Sequence, residues 1–139
     1  MSAIGALAYR TDGCRSRVFV KLHRGEVRSE QVLSFLKHLL RHVRGRVVVV
    51  WDRLNAHRSV LVREWALTQS RLELVLLPAY APELNPVEGL WAWTKGKLLA
   101  NVCEDTLEPV VGRVRKGVDG LRRRERVLDG FLAKAGLSF

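Results

Sequence analysis

The chain has 139 residues, and its 24 Lys and Arg against 14 Asp and Glu give a formal net charge of +10. Such a charge favours a polyanionic partner, with nucleic acid the leading candidate and an acidic membrane surface the second. The length predicts one domain with one core, while the lack of a signal-peptide pattern and of any apolar run near roughly 20 residues argues against secretion or a membrane span. Cys14 and Cys103 lack the paired spacing of a zinc site or a disulfide framework, so we expect a cytoplasmic protein with reduced thiols.

The first third of the chain alternates between β-like runs and one amphipathic helix. Residues 2–9 and 17–25 are β-like, and the Asp12-Gly13 pair between them is a strong hairpin-turn signal because glycine accepts a positive φ. Ser29 then stands as a possible N-cap, and apolar residues recur after it at helical spacing. This part of the chain therefore predicts a hairpin followed by a helix.

Two buried strands and a proline-rich loop are predicted in the middle of the chain. Residues 46–52, "RVVVVWD", form a continuous β-branched run of the kind expected for a central strand covered on both faces. A second helix is predicted to begin near Ser59, and residues 72–78 predict another buried strand that ends at a proline. A proline-rich loop and a third helix follow. The tail from Thr106 onward predicts one or two further helices with a basic outer face.

Asp52 directly follows the most apolar strand. In open α/β sheets ligands gather at the carboxyl ends of the strands. A carboxylate beside such a run is costly to bury unless a cation or hydrogen-bond donors offset its charge. A bound metal ion would do this. The alternative is that Asp52 only caps the turn "DRLN", since aspartate is a common turn residue.

Glu88 opens the third helix and also has two interpretations. Asn85 can be the N-cap, Pro86 the first helical residue and Glu88 the third, which is a capping-box arrangement that needs no catalysis. However, a strand and a constrained loop separate Asp52 from Glu88, and they can bring the two acids together. Paired carboxylates at such a place suit two-metal phosphoryl transfer, in which the ions activate the attacking oxygen and stabilise the leaving one.

At these residues the sequence resembles a known family. The segments "VVVVWDRLNAHRS" and "LPAYAPELNPVEGLWAWTKGKL" are similar to the catalytic domain of IS630/Tc1/mariner-type transposases, whose DDE domain has an RNase H-like fold. The family's second acid falls on Asp52, in a D-x-x-x-x-H pattern with His57. Its third acid falls on Glu88, inside the "LPxYxPxLNPxE" signature. The resemblance covers about residues 2 to 100.

The resemblance implies an α/β fold, with an RNase H-like mixed sheet flanked by helices and lacking the first strand. We expect a partial DDE catalytic domain over residues 1–105 and a basic helical C-terminal extension over residues 106–139. The family's first catalytic Asp would precede residues 2–9, so this acid is expected to be absent. Asp12 is the nearest candidate, but its Asp-Gly setting is typical of a turn tip.

These expectations extend to origin and assembly. The helix-turn-helix region that such transposases carry has no counterpart here, so we expect a truncated copy or the second frame of a split element, inactive alone. A sheet without its first strand would leave rows of backbone groups unpaired. We therefore expect residues 2–9 to pair directly with residues 47–51 in the isolated chain, and the chain to associate in solution with a second copy or an N-terminal transposase fragment.

The resemblance also implies an activity and its partners. The complete protein would cleave a DNA strand with water and transfer the freed 3′-hydroxyl to target DNA, with Asp52 and Glu88 binding Mg²⁺ or Mn²⁺ through oxygen ligands suited to a hard cation. Transposon ends and target DNA would be its partners, at the bacterial nucleoid. The alternative is a non-catalytic basic remnant that binds DNA or dimerises and modulates a full-length transposase. The candidate DNA contacts are His57, Arg58, Lys95, Lys97, Arg122, Arg123 and Arg124. The alternative is a structural hydrogen bond for His57, and a solvated charged face for the lysines and for the arginine cluster.

Overall fold

The computed structural model describes residues 1–137, and its elements follow the predicted order. The strands are β1 (Ser2–Ala8), β2 (Arg17–His23), β3 (Val47–Trp51) and β4 (Leu72–Leu76). The α-helices are α1 (Ser29–His42), α2 (Val60–Leu67), α3 (Val87–Trp93), α4 (Leu107–Leu121) and α5 (Glu125–Lys134), with a 3₁₀ turn at Pro82–Leu84 and a π-helical turn at Thr94–Leu98.

The chain divides into two compact units. Among the described residues, the first comprises residues 1–4 and 23–82, and the second comprises residues 5–22 and 83–137. The second unit therefore contains α3, α4 and α5 together with most of β1 and β2. The domain boundary expected at residue 105 stays a prediction.

The strands form two two-stranded sheets. β1 pairs with β2, as the predicted hairpin requires, and the connection between them contains Gly13 at a φ of 77°. β3 pairs with β4 in parallel, and Trp51 lies opposite Leu76. The expected direct pairing of β1 with β3 is wrong, because each has a single strand partner within residues 1–137. Both observed pairs join strands that follow one another along the chain, which costs less loop-closure entropy.

The first unit is organised around the apolar face of α1. The helix begins at Ser29 with Arg28 as its N-cap, one residue earlier than predicted, and the Arg28 amide donates to Gln31 Oε1 at 2.9 Å. At the other end, the Arg71 guanidinium donates to the carbonyls of Leu40 and Val43, which the end of the helix leaves without partners, and to the carbonyl of Gly45 just beyond it. The buried side chains of α1 are Val32, Phe35, Leu36, Leu39 and Leu40.

β3 is not covered on both faces, contrary to the expectation from its sequence. Val48 and Val50 are 50% and 53% exposed, whereas Trp51 is buried. Side chains alternate across a strand, so Val48 and Val50 share one face and Trp51 lies on the other. The physical reason for the error is that a run of apolar residues without alternation does not show which face is open.

The second unit has its own apolar core. Leu90 of α3 is fully buried and packs with residues of β2, α4 and α5. The hydroxyl of Tyr9, after β1, donates to the Leu128 carbonyl at 2.7 Å, and burial, followed by the charge of Asp129, raises the pKa of Tyr9. The remaining buried members of this cluster are Val18, Val114, Val118, Leu121 and Leu128.

The π-helical turn continues α3 with a wider spiral. The amide of Leu99 donates to the Thr94 carbonyl five residues back, at 3.2 Å, and the Thr94 hydroxyl donates to the Leu90 carbonyl at 2.8 Å. This turn carries Lys95 and Lys97, which are both exposed. No helix within residues 1–137 combines the length and apolarity that crossing a membrane would need.

Candidate functional site

Asp52 lies immediately after β3, in the first unit, and its side chain is 53% exposed. Its Oδ1 accepts a hydrogen bond from the Leu54 amide at 3.1 Å, which is the turn-capping contact that "DRLN" predicts. Within residues 1–137 its Oδ2 has no hydrogen-bond partner. The turn therefore fixes the carboxylate through one oxygen and leaves the other available.

His57 supports the same carboxylate. Its Nδ1 lies 2.8 Å from Asp52 Oδ1 and 3.3 Å from the Asp52 carbonyl oxygen. The imidazole stacks on the indole of Trp51, with ring centroids 4.3 Å apart and planes within 4° of parallel. Its side chain is only 15% exposed. The structure thus brings His57 together with Asp52, and it holds the histidine by packing as well as by hydrogen bonding.

Glu88 lies in the first turn of α3, in the second unit, and is exposed. The predicted capping box is not formed, and the N-cap of α3 is Pro86, not Asn85. Asn85 Oδ1 accepts from the Val87 amide at 3.2 Å, while the Glu88 amide donates to the Asn85 carbonyl at 3.0 Å. The Glu88 carboxylate has no hydrogen-bond partner within residues 1–137. Capping therefore does not account for this side chain.

The acidic side chains of the described residues do not form a ready-made cation site. Across residues 1–137 no group of three or more His, Cys, Asp and Glu side chains is arranged to hold a metal ion. Asp12 is already engaged: Arg10 donates to both of its oxygens and the Cys14 amide donates to Oδ1 at 3.0 Å. These hydrogen bonds hold the pKa of Asp12 well below its usual range. Asp12 is therefore a turn residue tied to Arg10, as its Asp-Gly setting predicted.

The predicted DNA contacts fall into three places. Arg58 is exposed near His57, and its guanidinium donates to Asn55 Oδ1 at 3.2 Å. Lys95 and Lys97 project from the π-helical turn. The three arginines form the connection between α4 and α5, and all are exposed: Arg122, Arg123 and Arg124.

Arg122 differs from its two neighbours. Its Nη1 donates to Asp119 at 2.5 Å, its Nε donates to the Val18 carbonyl at 3.4 Å, and its own carbonyl accepts from Arg15 at 2.9 Å. These contacts fasten the α4–α5 connection to β2 and to the residues before it. Arg122 therefore has a structural role in the second unit whatever else it contacts.

Sequence reasoning missed Arg53 and the conformation of Tyr80. Arg53 Nε donates to the Leu77 carbonyl at 3.0 Å and so joins the turn after β3 to the residue after β4. Tyr80 has a φ of 57° and a fully exposed side chain, a backbone region that a bulky residue seldom adopts. The motif "LPAYAPELNP" indicated an irregular loop but contained no signal for this conformation.

Solved structures share the fold of this chain. A structure of the Mos1 transposase catalytic domain with Raltegravir and Mg has a TM-score of 0.60 and 18% identity, covering 99% of this chain and 83% of that one. The same domain with Raltegravir and Mn gives 0.60 and 16%, covering 99% and 82%. The crystal structure of the catalytic domain of Mos1 mariner transposase gives 0.56 and 18%, also covering 99% and 82%. These likenesses confirm the RNase H-like α/β fold.

The family follows from the sequence itself. The family model described as DDE superfamily endonuclease matches residues 1–108, so this chain belongs to that family. The predicted relationship to DDE transposase catalytic domains is confirmed. A comparison with curated proteins gives no match.

Proposed function

We propose that this chain is the catalytic-domain part of an IS630-type transposase, in which Asp52 and Glu88 bind divalent metal ions for DNA strand cleavage and 3′-hydroxyl transfer. One observation carries the proposal. At the two positions where the family's acids fall, each carboxylate has oxygen that no group within residues 1–137 satisfies. Carboxylate oxygens of this kind fit hard cations such as Mg²⁺ and Mn²⁺.

The surrounding residues position each acid and leave carboxylate oxygen free to bind a metal ion. The Leu54 amide and His57 hold Asp52 by Oδ1, so that Oδ2 is offered to a cation. Asn85 and the backbone of α3 fix the position of Glu88 without using its carboxylate. Bound divalent ions would activate the attacking oxygen and stabilise the leaving oxygen.

Basic side chains supply the affinity for DNA in this proposal. Lys95 and Lys97 lie about two helical turns beyond Glu88 and are exposed, and the net charge of the whole chain is +10. Lysine and arginine bind phosphates largely without regard to sequence. The side chains assigned to this role are His57, Arg58, Lys95, Lys97, Arg122, Arg123 and Arg124.

The working protein, in this proposal, contains a second polypeptide at the nucleoid, either another copy of this chain or a separate transposase fragment. The support is the open edge of β3, which hydrogen-bonds one strand only within residues 1–137. Unpaired strand edges are templates for pairing with another chain.

Iron-directed cleavage tests the metal ligands independently of catalysis. Fe²⁺ with ascorbate generates hydroxyl radicals that cut the backbone near a bound ion, and mass spectrometry locates the cuts. We expect cuts near residues 52 and 88 that Mg²⁺ suppresses, with loss of the first set in Asp52→Asn and of the second in Glu88→Gln. Matched controls are Asp12→Asn and Glu83→Gln, which also neutralise exposed acids.

Two outcomes would contradict the proposal. Unchanged cuts in Asp52→Asn and Glu88→Gln would show that neither acid is a ligand, and would favour the non-catalytic DNA-binding remnant. Loss of cleavage in Asp12→Asn would show that Asp12 replaces one of them.

A further inference from the structure

Two histidines lie one turn apart on the exposed face of α1. His38 and His42 occupy positions i and i+4, which are neighbours on a helix surface. Their imidazole rings lie close together, with centroids 4.2 Å apart and planes inclined by 41°. Both residues are exposed, and neither belongs to the buried side chains of α1. Packing of the apolar core therefore does not explain this pair.

A backbone hydrogen bond sets the tautomer of His42. Its Nδ1 lies 2.9 Å from the His38 carbonyl oxygen. Because a carbonyl oxygen can only accept, Nδ1 carries the proton of the neutral imidazole and Nε2 carries the lone pair. Histidines that bind metal ions commonly donate one ring N–H to a carbonyl or carboxylate and bind the ion through the other nitrogen. His42 is therefore arranged to bind a metal ion through Nε2.

The helix keeps the two rings at a fixed spacing. α1 is 14 residues long, and five of its side chains are buried. The Arg71 guanidinium donates to the carbonyls of Leu40 and Val43, on either side of His42. An ion that joins the two rings therefore has little backbone freedom left to remove, which favours binding.

The donor atoms select the class of metal ion. Residues 33–42 contain no Asp or Glu, and within residues 1–137 no third His, Cys, Asp or Glu joins the pair to complete a metal-binding group. Mg²⁺ and Ca²⁺ prefer oxygen ligands, whereas imidazole nitrogen suits Zn²⁺, Ni²⁺ and Cu²⁺. Two histidines at this spacing on one helix face also bind zinc in metalloproteases. Here water would complete the coordination.

The charges around the pair act in opposite directions. Arg41 is exposed beside His42, and Lys37 precedes His38, although its Nζ lies 6.0 Å from the centroid of the Trp65 ring on α2. Repulsion between exposed charges is weak in water and is screened by salt. The last turn of a helix attracts cations through the helix dipole. The neighbouring cations therefore reduce the affinity for a metal ion without preventing binding.

We propose that His38 and His42 form a surface site for one transition-metal ion of the Zn²⁺, Ni²⁺ or Cu²⁺ class, bound through a ring nitrogen of each residue. The site differs from the carboxylates of Asp52 and Glu88 both in its residues and in the ions that it binds. A bound ion joins the last two turns of α1. It stabilises the folded chain, because the unfolded chain does not hold the two rings one turn apart.

Titration calorimetry with Ni²⁺ tests the site. The native thiols, which are free and exposed, are first replaced in a Cys14→Ser/Cys103→Ser background because thiolates also bind these ions. Excess Mg²⁺ in the buffer occupies carboxylate ligands. We expect one Ni²⁺ ion per chain at this site, and a loss of affinity of about tenfold or more in His38→Ala and in His42→Ala. Unchanged affinity in either variant would overturn the proposal.

Moving the second histidine tests the spacing. In a His42→Ala background, Ser34→His again places two histidines four residues apart and should restore the affinity for Ni²⁺. The matched control Lys37→His gives the helix the same number of histidines, but adjacent side chains do not face each other, so affinity should stay low. All substituted positions are exposed, and circular dichroism checks that helix content is kept. Equal restoration by both variants would contradict the proposed geometry.

Thermal unfolding measures the effect on stability. Ni²⁺ at ten times its Kd should raise the melting temperature of the Cys14→Ser/Cys103→Ser protein by about 4 °C. The same addition should leave the melting temperature of the His42→Ala variant of this protein unchanged. An equal rise in both proteins would show that the ion stabilises the fold from another position.

Electron paramagnetic resonance of bound Cu²⁺ identifies the ligand atoms. The spectrum should show coupling to two imidazole nitrogens, and to one in His42→Ala. A spectrum without nitrogen coupling would overturn the assignment. Asp52→Asn and Glu88→Gln should leave the Ni²⁺ titration unchanged, so this inference and the proposed function can fail separately.

Discussion

At the scale of single residues, Asp52 uses its two carboxylate oxygens differently. Oδ1 accepts from the Leu54 amide and lies beside His57, whereas Oδ2 has no hydrogen-bond partner within residues 1–137. The turn-capping role and the proposed ligand role therefore involve different atoms. The two interpretations of this residue, which compete in the sequence, are compatible in the structure.

His57 should contribute to stability through its ring as well as through its nitrogen. His57→Ala removes the stack on Trp51 and should lower the free energy of unfolding by about 1 kcal/mol. His57→Phe keeps an aromatic ring there and should recover most of that loss, although it removes the ring nitrogen that lies beside Asp52 Oδ1. Urea denaturation of the three proteins measures this. Equal stability of the Ala and Phe variants would show that the stacking contact contributes nothing.

Substitutions at Asn85 and Glu88 should distinguish a helix-capping role from a metal-binding role. Asn85→Ala removes the acceptor for the Val87 amide and should destabilise the protein by about 1 kcal/mol. Glu88→Gln should leave thermal unfolding unchanged, because the Glu88 carboxylate makes no capping bond within residues 1–137. If Glu88→Gln melts as early as Asn85→Ala and still binds metal normally, the capping box explains this residue.

At the scale of elements, glycine in α4 permits close packing. A Cβ built on Gly117 would lie 2.4 Å from both Cδ atoms of Leu98 and 2.9 Å from its Cγ, whereas one on Gly112 would have no heavy atom within 4 Å. The two glycines lie in the same helix and have opposite surroundings. The π-helical turn therefore packs on α4 at a point where no side chain fits.

The same substitution should have opposite effects at these two positions. Gly112→Ala should stabilise the protein by about 0.5–1 kcal/mol through helix propensity. Gly117→Ala gains the same propensity but must displace Leu98, and overpacking of this kind should leave a net loss of about 1 kcal/mol. Denaturation midpoints of both variants give the comparison. A stabilised Gly117→Ala would mean that Leu98 moves aside freely.

Some elements could be predicted because their signals are local. Apolar spacing predicted the helices, and α2 begins next to Ser59 as predicted; the Ser59 hydroxyl caps it by accepting from the Val62 amide at 3.3 Å. The open face of β3 could not be predicted, because four valines and a tryptophan show no alternation. The stack of His57 on Trp51 also left no signal, since it depends on the conformation of the whole turn between them.

At the scale of the whole molecule, charge determines the expected binding behaviour. With a net charge of +10, affinity for duplex DNA should fall steeply with salt and depend little on sequence, with a log–log slope near −0.9 for each phosphate neutralised. Lys95→Gln/Lys97→Gln should reduce this slope by about 1–2. The control Lys37→Gln/Lys134→Gln makes the same charge change elsewhere. Equal losses in both double variants, or strong discrimination between unrelated duplexes, would contradict local phosphate contact.

The π-helical turn has a consequence for how this chain is aligned with its relatives. Its five-residue hydrogen bond, from the Leu99 amide to the Thr94 carbonyl, accommodates one residue more than an α-helical turn would. A relative that lacks that residue would have an uninterrupted helix there, in which every later side chain is rotated by roughly 100° and displaced by about 1.5 Å along the axis. Lys95 and Lys97 therefore cannot be matched to lysines of such a relative by position alone. In a sequence alignment, the position chosen for the gap within residues 94–98 would decide which lysine of the relative is paired with Lys95 or Lys97.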